Sequence, residues 1–295
     1  MTRRTDGMRL ALTLVLVCLA CAQPETLEAT TDLYLIEIGG EGEVAKPVNL
    51  TTRDGYDNQP RFLPDGRLLY VSRTDGRADL FELDLETRQA RQLTTTTLEN
   101  EYSPQPVPGS DRISMIRVER NGDYRLLTAD RDGGNTRAVT DLVHDPIGYY
   151  AWIDERTVAV VVTVLPTELL LIDLERQRFQ SIAKGVGRSI QTVPGRRSVS
   201  FVHLDTAEPW IKEYSLDAGE SQLIAPLPGG EDHAWTPDGR LLAGRGSELL
   251  GLSPGMIPNW EPVADLSSSG IREISRITVA PGGKHLILVG EPGDP

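Results

Sequence analysis

Cysteine is nearly missing from this chain: of 295 residues only Cys18 and Cys21 carry a thiol, both close to the N-terminus. No disulfide can staple the 274 residues beyond Cys21, and neither a cysteine-based metal site nor a thiol nucleophile is open to them. Histidine numbers four, and only four of the thirty basic residues are lysine, the rest being arginine. Forty-three acidic side chains against those thirty leave a net charge of -13, which repels nucleic acid and anionic headgroups and excludes a generic polyanion binder. No segment sustains a helical period, and no Gly-x-Ser-x-Gly elbow, phosphate-binding glycine loop or His-Glu-x-x-His motif occurs. Aromatic residues make up 5% of the chain, but hydrophobic residues make up 39%, enough for a sizeable core.

The N-terminus has the order of a secretory leader. Arg3, Arg4 and Arg9 precede an apolar run from Leu10 to Ala22 that is too short for a comfortable membrane span and closes on small residues. Two cleavages fit: after Ala22, with small residues at both recognition positions, or before Cys21, with that cysteine lipidated as in bacterial lipoproteins. Loss of residues 1–20 takes away three arginines and one aspartate, leaving a charge of -15. Residues 21–31 are polar and non-periodic, as a tether would be. The expectation is an exported protein of the bacterial periplasm or outer membrane, touching the membrane only through an N-terminal lipid.

Residues 32–295 repeat. Tight-turn triplets stand at Pro64-Asp65-Gly66, Pro108-Gly109-Ser110, Ile153-Asp154-Glu155, Pro194-Gly195-Arg196, Pro237-Asp238-Gly239 and Pro281-Gly282-Gly283, spaced 44, 45, 41, 43 and 44 residues apart. Each precedes an apolar run that reads as a strand, such as Leu68 to Val71 or Val158 to Val162. A further strand comes next in most units, alternating clearly in Asp79 to Leu85, and then an edge strand such as Arg91-Gln92-Leu93-Thr94. Four strands in about 44 residues is the period of a β-propeller blade. The sixth unit has only two strands, while Thr31 to Ile38 and Pro47 to Thr51 read as a third and an edge strand. The N-terminal pair is therefore expected to complete the C-terminal blade, giving an all-β, six-bladed, ring-closed propeller without exposed edges. A monomer is expected.

The segments Asn58-Gln59-Pro60-Arg61-Phe62-Leu63-Pro64-Asp65-Gly66-Arg67 and Asp232-His233-Ala234-Trp235-Thr236-Pro237-Asp238-Gly239-Arg240 resemble the Pro-x-aromatic-x-Pro-Asp-Gly-basic repeat of the TolB-like propellers, and Leu50-Thr51, Leu93-Thr94 and Val139-Thr140 resemble that family's blade ending. The third unit departs most. TolB carries an α/β domain ahead of its propeller, for which this chain has no room. The resemblance extends to oligogalacturonate lyases, which hold a metal on channel-facing histidines. Here His203 and His285 fall in or beside second strands, leaving His144, Asp232 and His233 as metal candidates.

The Pro-Asp-Gly turn is read as structural, since proline presets φ, aspartate accepts local N–H groups and glycine takes positive φ. Phe62, Trp152 and Trp235 are read as packing between sheets. Function is expected in the segments leading into each innermost strand, because in a propeller these converge around the channel mouth. Those segments supply Asn58, Gln59, Glu101, Tyr102, Tyr149, Arg188, Glu231, Asp232, His233 and Arg276 as candidate binding residues. Acidic residues with Arg188 and Arg276 suit a peptide or a glycan. Two functions fit these residues: a non-enzymatic scaffold that binds a protein or envelope polymer at the mouth and needs no cofactor, or a metal-dependent lyase or hydrolase acting on an acidic polysaccharide.

Overall fold

A computed structural model describes residues 30–39, 43–204, 208–255 and 257–292. The expected leader, Cys21 and most of the tether lie outside them. Thr31, the last residue assigned to the tether, belongs to the folded body: it is buried, its N–H bonds the Gly55 carbonyl at 3.0 Å, and its hydroxyl bonds that of Asp57 at 3.0 Å.

Six four-stranded antiparallel sheets form the ring. Five are built in chain order from innermost to outer strand, with innermost strands Asp57–Phe62, Asn100–Pro106, Ile147–Asp154, Val186–Thr192 and His233–Trp235 for blades 1 to 5. Blade 6 takes its inner two strands, Ile271–Val279 and His285–Pro292, from the C-terminus and its outer two, Asp32–Glu37 and Val48–Asn49, from the N-terminus. The closing register runs from Asp32 opposite Gly290 to Glu37 opposite His285. The expected ring closure is present.

Apolar burial lies between blades and not on the axis. Leu69, Leu80, Ile113 and Met115 fill the space between blades 1 and 2, Trp152, Val160 and Ile116 that between blades 2 and 3, and equivalent clusters occupy the other four interfaces. A middle strand is thus covered on both faces, so Thr157–Val162 is buried at every position and Val158 to Val162 reads as a continuous apolar run. Trp152 and Trp235 pack between sheets as expected, and each also donates its indole N–H to a serine of the preceding blade, Ser114 at 2.9 Å and Ser200 at 2.8 Å.

The blade ending has a hydrogen-bonding cause. Thr51 and Thr94 each accept the N–H of Leu33 or Leu80 in the third strand (2.9 Å in both), and each turns its hydroxyl toward the preceding aspartate, Asp32 or Asp79. An Asp-Leu pair and a downstream Leu-Thr pair are therefore one device that sews the outer strand to its neighbour. At the turns, Gly66 and Gly239 adopt φ of 88° and 86° and return their N–H groups to Leu63 and Thr236. Those left-handed angles are the reason for glycine there.

Leu33, Tyr34, Leu35 and Ile36 are each no more than 5% exposed. At about 1.5–3 kcal/mol per buried large side chain, the strand they form contributes as much as the whole net stability of an ordinary domain, about 5–15 kcal/mol. Deleting residues 32–51 should therefore leave an aggregating chain without a cooperative transition. Thermal unfolding followed by circular dichroism is the check, and an unchanged melt would refute closure as a stability requirement.

Candidate functional site: the axial channel

Because each innermost strand runs from the mouth toward its turn, equivalent positions form layers around the axis. Bulges near the start of the strand aim them there: the pairing of innermost with second strand slips between Asn58 and Arg61, Tyr102 and Gln105, Ile147 and Tyr149, Val186 and Ile190, and Ile274 and Arg276. Gln59 and Ser103 sit at the bulges with φ of 54° and 53°, left-handed values unusual for side chains other than glycine. An extra residue at this point turns side chains off the sheet face and into the lumen.

Five of the ten candidate residues line this channel: Gln59, Tyr149, Arg188, Asp232 and Arg276. The other five do not. Glu231 stands exposed at the rim, 2.7 Å from the Nε of Arg188. Asn58 is buried against Thr31. Tyr102 is wedged between blades 1 and 2, its hydroxyl accepting from Arg73 at 2.9 Å. Glu101 is fully buried, accepting from Thr96 at 2.9 Å and Arg117 at 2.8 Å; burial pushes its carboxyl up despite both partners. His233 is also fully buried. A polar residue near the mouth in sequence can point into the interface between blades as readily as into the lumen.

His233 is committed to the interior on both ring nitrogens. The Ser189 hydroxyl donates to Asp232 at 2.5 Å, so it accepts from Nδ1–H of His233 at 2.9 Å, which leaves Nε2 to accept from Ser200 at 2.7 Å. This assignment requires a neutral ring, and burial drives His233 down to about 4, with Asp232 opposing. The serine stands between the imidazole and the carboxylate, an order different from that of a hydrolytic triad, in which the carboxylate holds the imidazole. The other oxygen of Asp232 accepts the Ile277 N–H at 2.9 Å, so the network ties blade 4 to blade 5 and blade 5 to blade 6. The metal candidates fail on the same geometry. Neither nitrogen of His233 is open, His144 lies in an exposed loop two blades away, and no group of three or more potential ligands exists among the described residues.

Sequence reasoning missed the channel floor. Arg61 of blade 1 crosses the lumen to donate from Nη1 to Oε1 of Gln191 in the opposite blade, at 3.0 Å. Desolvation inside the ring lowers its guanidinium, Asp232 and Tyr150 oppose that, and Arg276 adds a like-charge push downward. Gln105 ties blade 2 to blade 3 through the Tyr150 carbonyl at 2.6 Å, and the Ser103 N–H ties blade 2 to blade 1 through Gln59 at 2.5 Å. The sequence carries a signal: Arg61, Gln105 and Gln191 occupy one repeat position, each three residues before its turn at Pro64, Pro108 or Pro194 and one place before the end of an innermost strand.

His233 gives the fold a pH dependence whose sign is set by its depressed value. The unfolded chain takes up a proton below pH 6.5 and the folded chain does not until about pH 4, so stability is full above 6.5 and falls as pH drops toward 4, by about 3 kcal/mol over that window. Urea unfolding of wild type and His233→Gln at pH 7 and pH 4.5 is the check: the wild type should lose more than the variant.

No family model and no characterised sequence matches the chain. Solved structures do match in fold. A TolB-type protein from Agrobacterium tumefaciens superposes with a TM-score of 0.70 at 14% identity, over 89% of this chain and 98% of that one. TolB from Acinetobacter baumannii gives 0.59 at 14% identity, over 91% of this chain and 65% of the other. A gluconolactonase from Xanthomonas campestris gives 0.60 at 11% identity, over 87% and 91%. Enzymes and TolB proteins thus share the architecture, and fold alone assigns no activity. By blade count, strand order and ring closure, the chain is a six-bladed propeller with the TolB-like fold.

Proposed function

We propose that this protein is an exported, non-enzymatic propeller scaffold that binds a protein or envelope polymer through the mouth of its channel. The observation that carries this reading is the convergence of bulged segments from separate blades on one lumen, where Tyr149 and Arg276 make no side-chain hydrogen bond among the described residues. A rigid ring that presents polar groups from several blades to one point suits recognition by a protruding ligand segment. The opposite end offers tight turns engaged with their own backbone.

Charge reversal tests the face. Arg188→Glu combined with Arg276→Glu should abolish affinity capture of the partner from envelope extract while shifting stability little. Arg240→Glu, beside a turn at the other end, should leave capture intact. Arg67 is unsuitable as a control because it pairs at 3.0 Å with Glu82, which is buried. Capture lost with Arg240→Glu and retained in the double variant would place binding at the wrong end, and stoichiometric manganese or zinc in purified protein would turn the reading toward a lyase or hydrolase of acidic polysaccharide.

Export by a lipoprotein route is part of the same proposal, supported by the Cys18-Leu19-Ala20-Cys21 sequence after the apolar run. Cys21→Ser should move the protein from the membrane fraction to the soluble periplasmic fraction. Equal distribution of the two forms would remove the lipid anchor from the proposal.

A further inference from the structure

The channel carries a charge opposite to that of the molecule around it. Three arginines line it at successive depths: Arg188 near the rim, Arg276 below it and Arg61 at the floor. One carboxylate lines it with them, that of Asp232, and both its oxygens are engaged by Ser189 and the Ile277 N–H. Arg188 is met by Glu231 and by the Ser275 carbonyl at 3.3 Å. Arg276 makes no side-chain hydrogen bond or ion pair among the described residues, and Arg61 spends one donor on Gln191. Two guanidiniums that repel each other and still have donors to give therefore face a space of about 60 Å³, room for a few waters or one small group. An anion placed between them would form charge-assisted hydrogen bonds with both and relieve the like-charge push.

The size and surroundings of the space narrow the anion. The space takes a carboxylate group, with the rest of the ligand above it. A polyanion would meet repulsion from a chain whose full sequence carries a net charge of -13. One terminal carboxylate on an otherwise uncharged or basic segment satisfies the lumen without that repulsion. We infer that the channel is a receptor for the C-terminal carboxylate of a peptide, received between Arg276 and Arg61. This rests on the mouth-binding reading above and names its ligand class.

The probe is an N-acetylated hexapeptide of glycine and serine ending in alanine, with a free carboxylate, against the same peptide amidated. Both are titrated into the full mature chain by ligand-observed NMR at fixed ionic strength. The acid should bind at least tenfold more tightly than the amide, and Arg276→Gln or Arg61→Gln should each erase that preference, with circular dichroism confirming the fold. Equal binding of acid and amide to wild-type protein overturns the inference whether or not the variants fold, as does a preference that survives in both folded variants. Inorganic phosphate binding more tightly than the peptide acid also overturns it, making the site a phosphate receptor. Loss of carboxylate preference with partner capture still dependent on Arg188 and Arg276 would remove this inference and leave the mouth-binding reading standing.

Discussion

Blades 1 to 5 are each closed locally, every strand pairing with the next along the chain. Blade 6 is closed by hydrogen bonds between Asp32–Glu37 and His285–Gly290, segments from the two ends of the described fold. All else depends on that pairing, because a propeller has no central core to fall back on. Its six apolar clusters are interfaces between neighbours, and breaking one contact opens a ring into an arc with two exposed faces. With no disulfide available, the strand itself is the clasp. Loop closure over such a separation is entropically demanding, which accounts for the dense burial of Leu33 to Ile36 against the strands they join.

The same geometry explains why the axis is polar. Sheets arranged radially bury their faces against each other and turn their innermost edges toward a narrow shaft, where backbone groups and bulged side chains must find partners. The chain meets this demand with bonds that cross between blades: Gln59 with Ser103, Gln105 with Tyr150, Ser189 with Asp232 and His233, and Arg61 with Gln191. These bonds hold the blades in register and at the same time define a small lumen rich in arginine. The ties between blades and the proposed binding surface thus lie in the same layer of residues: Asp232 and His233 are engaged between blades, whereas Arg276 and Tyr149 make no side-chain hydrogen bond among the described residues.

Charge distribution deepens this division. Acidic residues dominate the chain, yet buried Glu82, Glu101 and Glu213 are each paired with arginine. Arg67, Arg91 and Arg131 converge on Glu82, and Arg67 and Arg131 also pair with Asp84 and Asp65. Against that background the surplus of guanidinium at the axis, from Arg61, Arg188 and Arg276, is a local departure.

Fold class, blade number, ring closure and the role of the turns were legible in the sequence because they rest on local chemistry repeated six times. Proline, aspartate or glycine marks each turn, apolar runs mark strands covered on both faces, and a half-unit at each end announces the closure. The channel lining was legible only in part. Gln59, Tyr149, Arg188, Asp232 and Arg276 were recovered from their position ahead of the turns, but Glu101, Tyr102 and His233 share that position and point into interfaces between blades. Arg61 was read as a repeat residue and proved to be the floor. Strand periodicity assigns a side chain to one face or the other and is reset by each bulge, so which residues reach the axis, and which blade they meet across it, was decided by the closed ring alone.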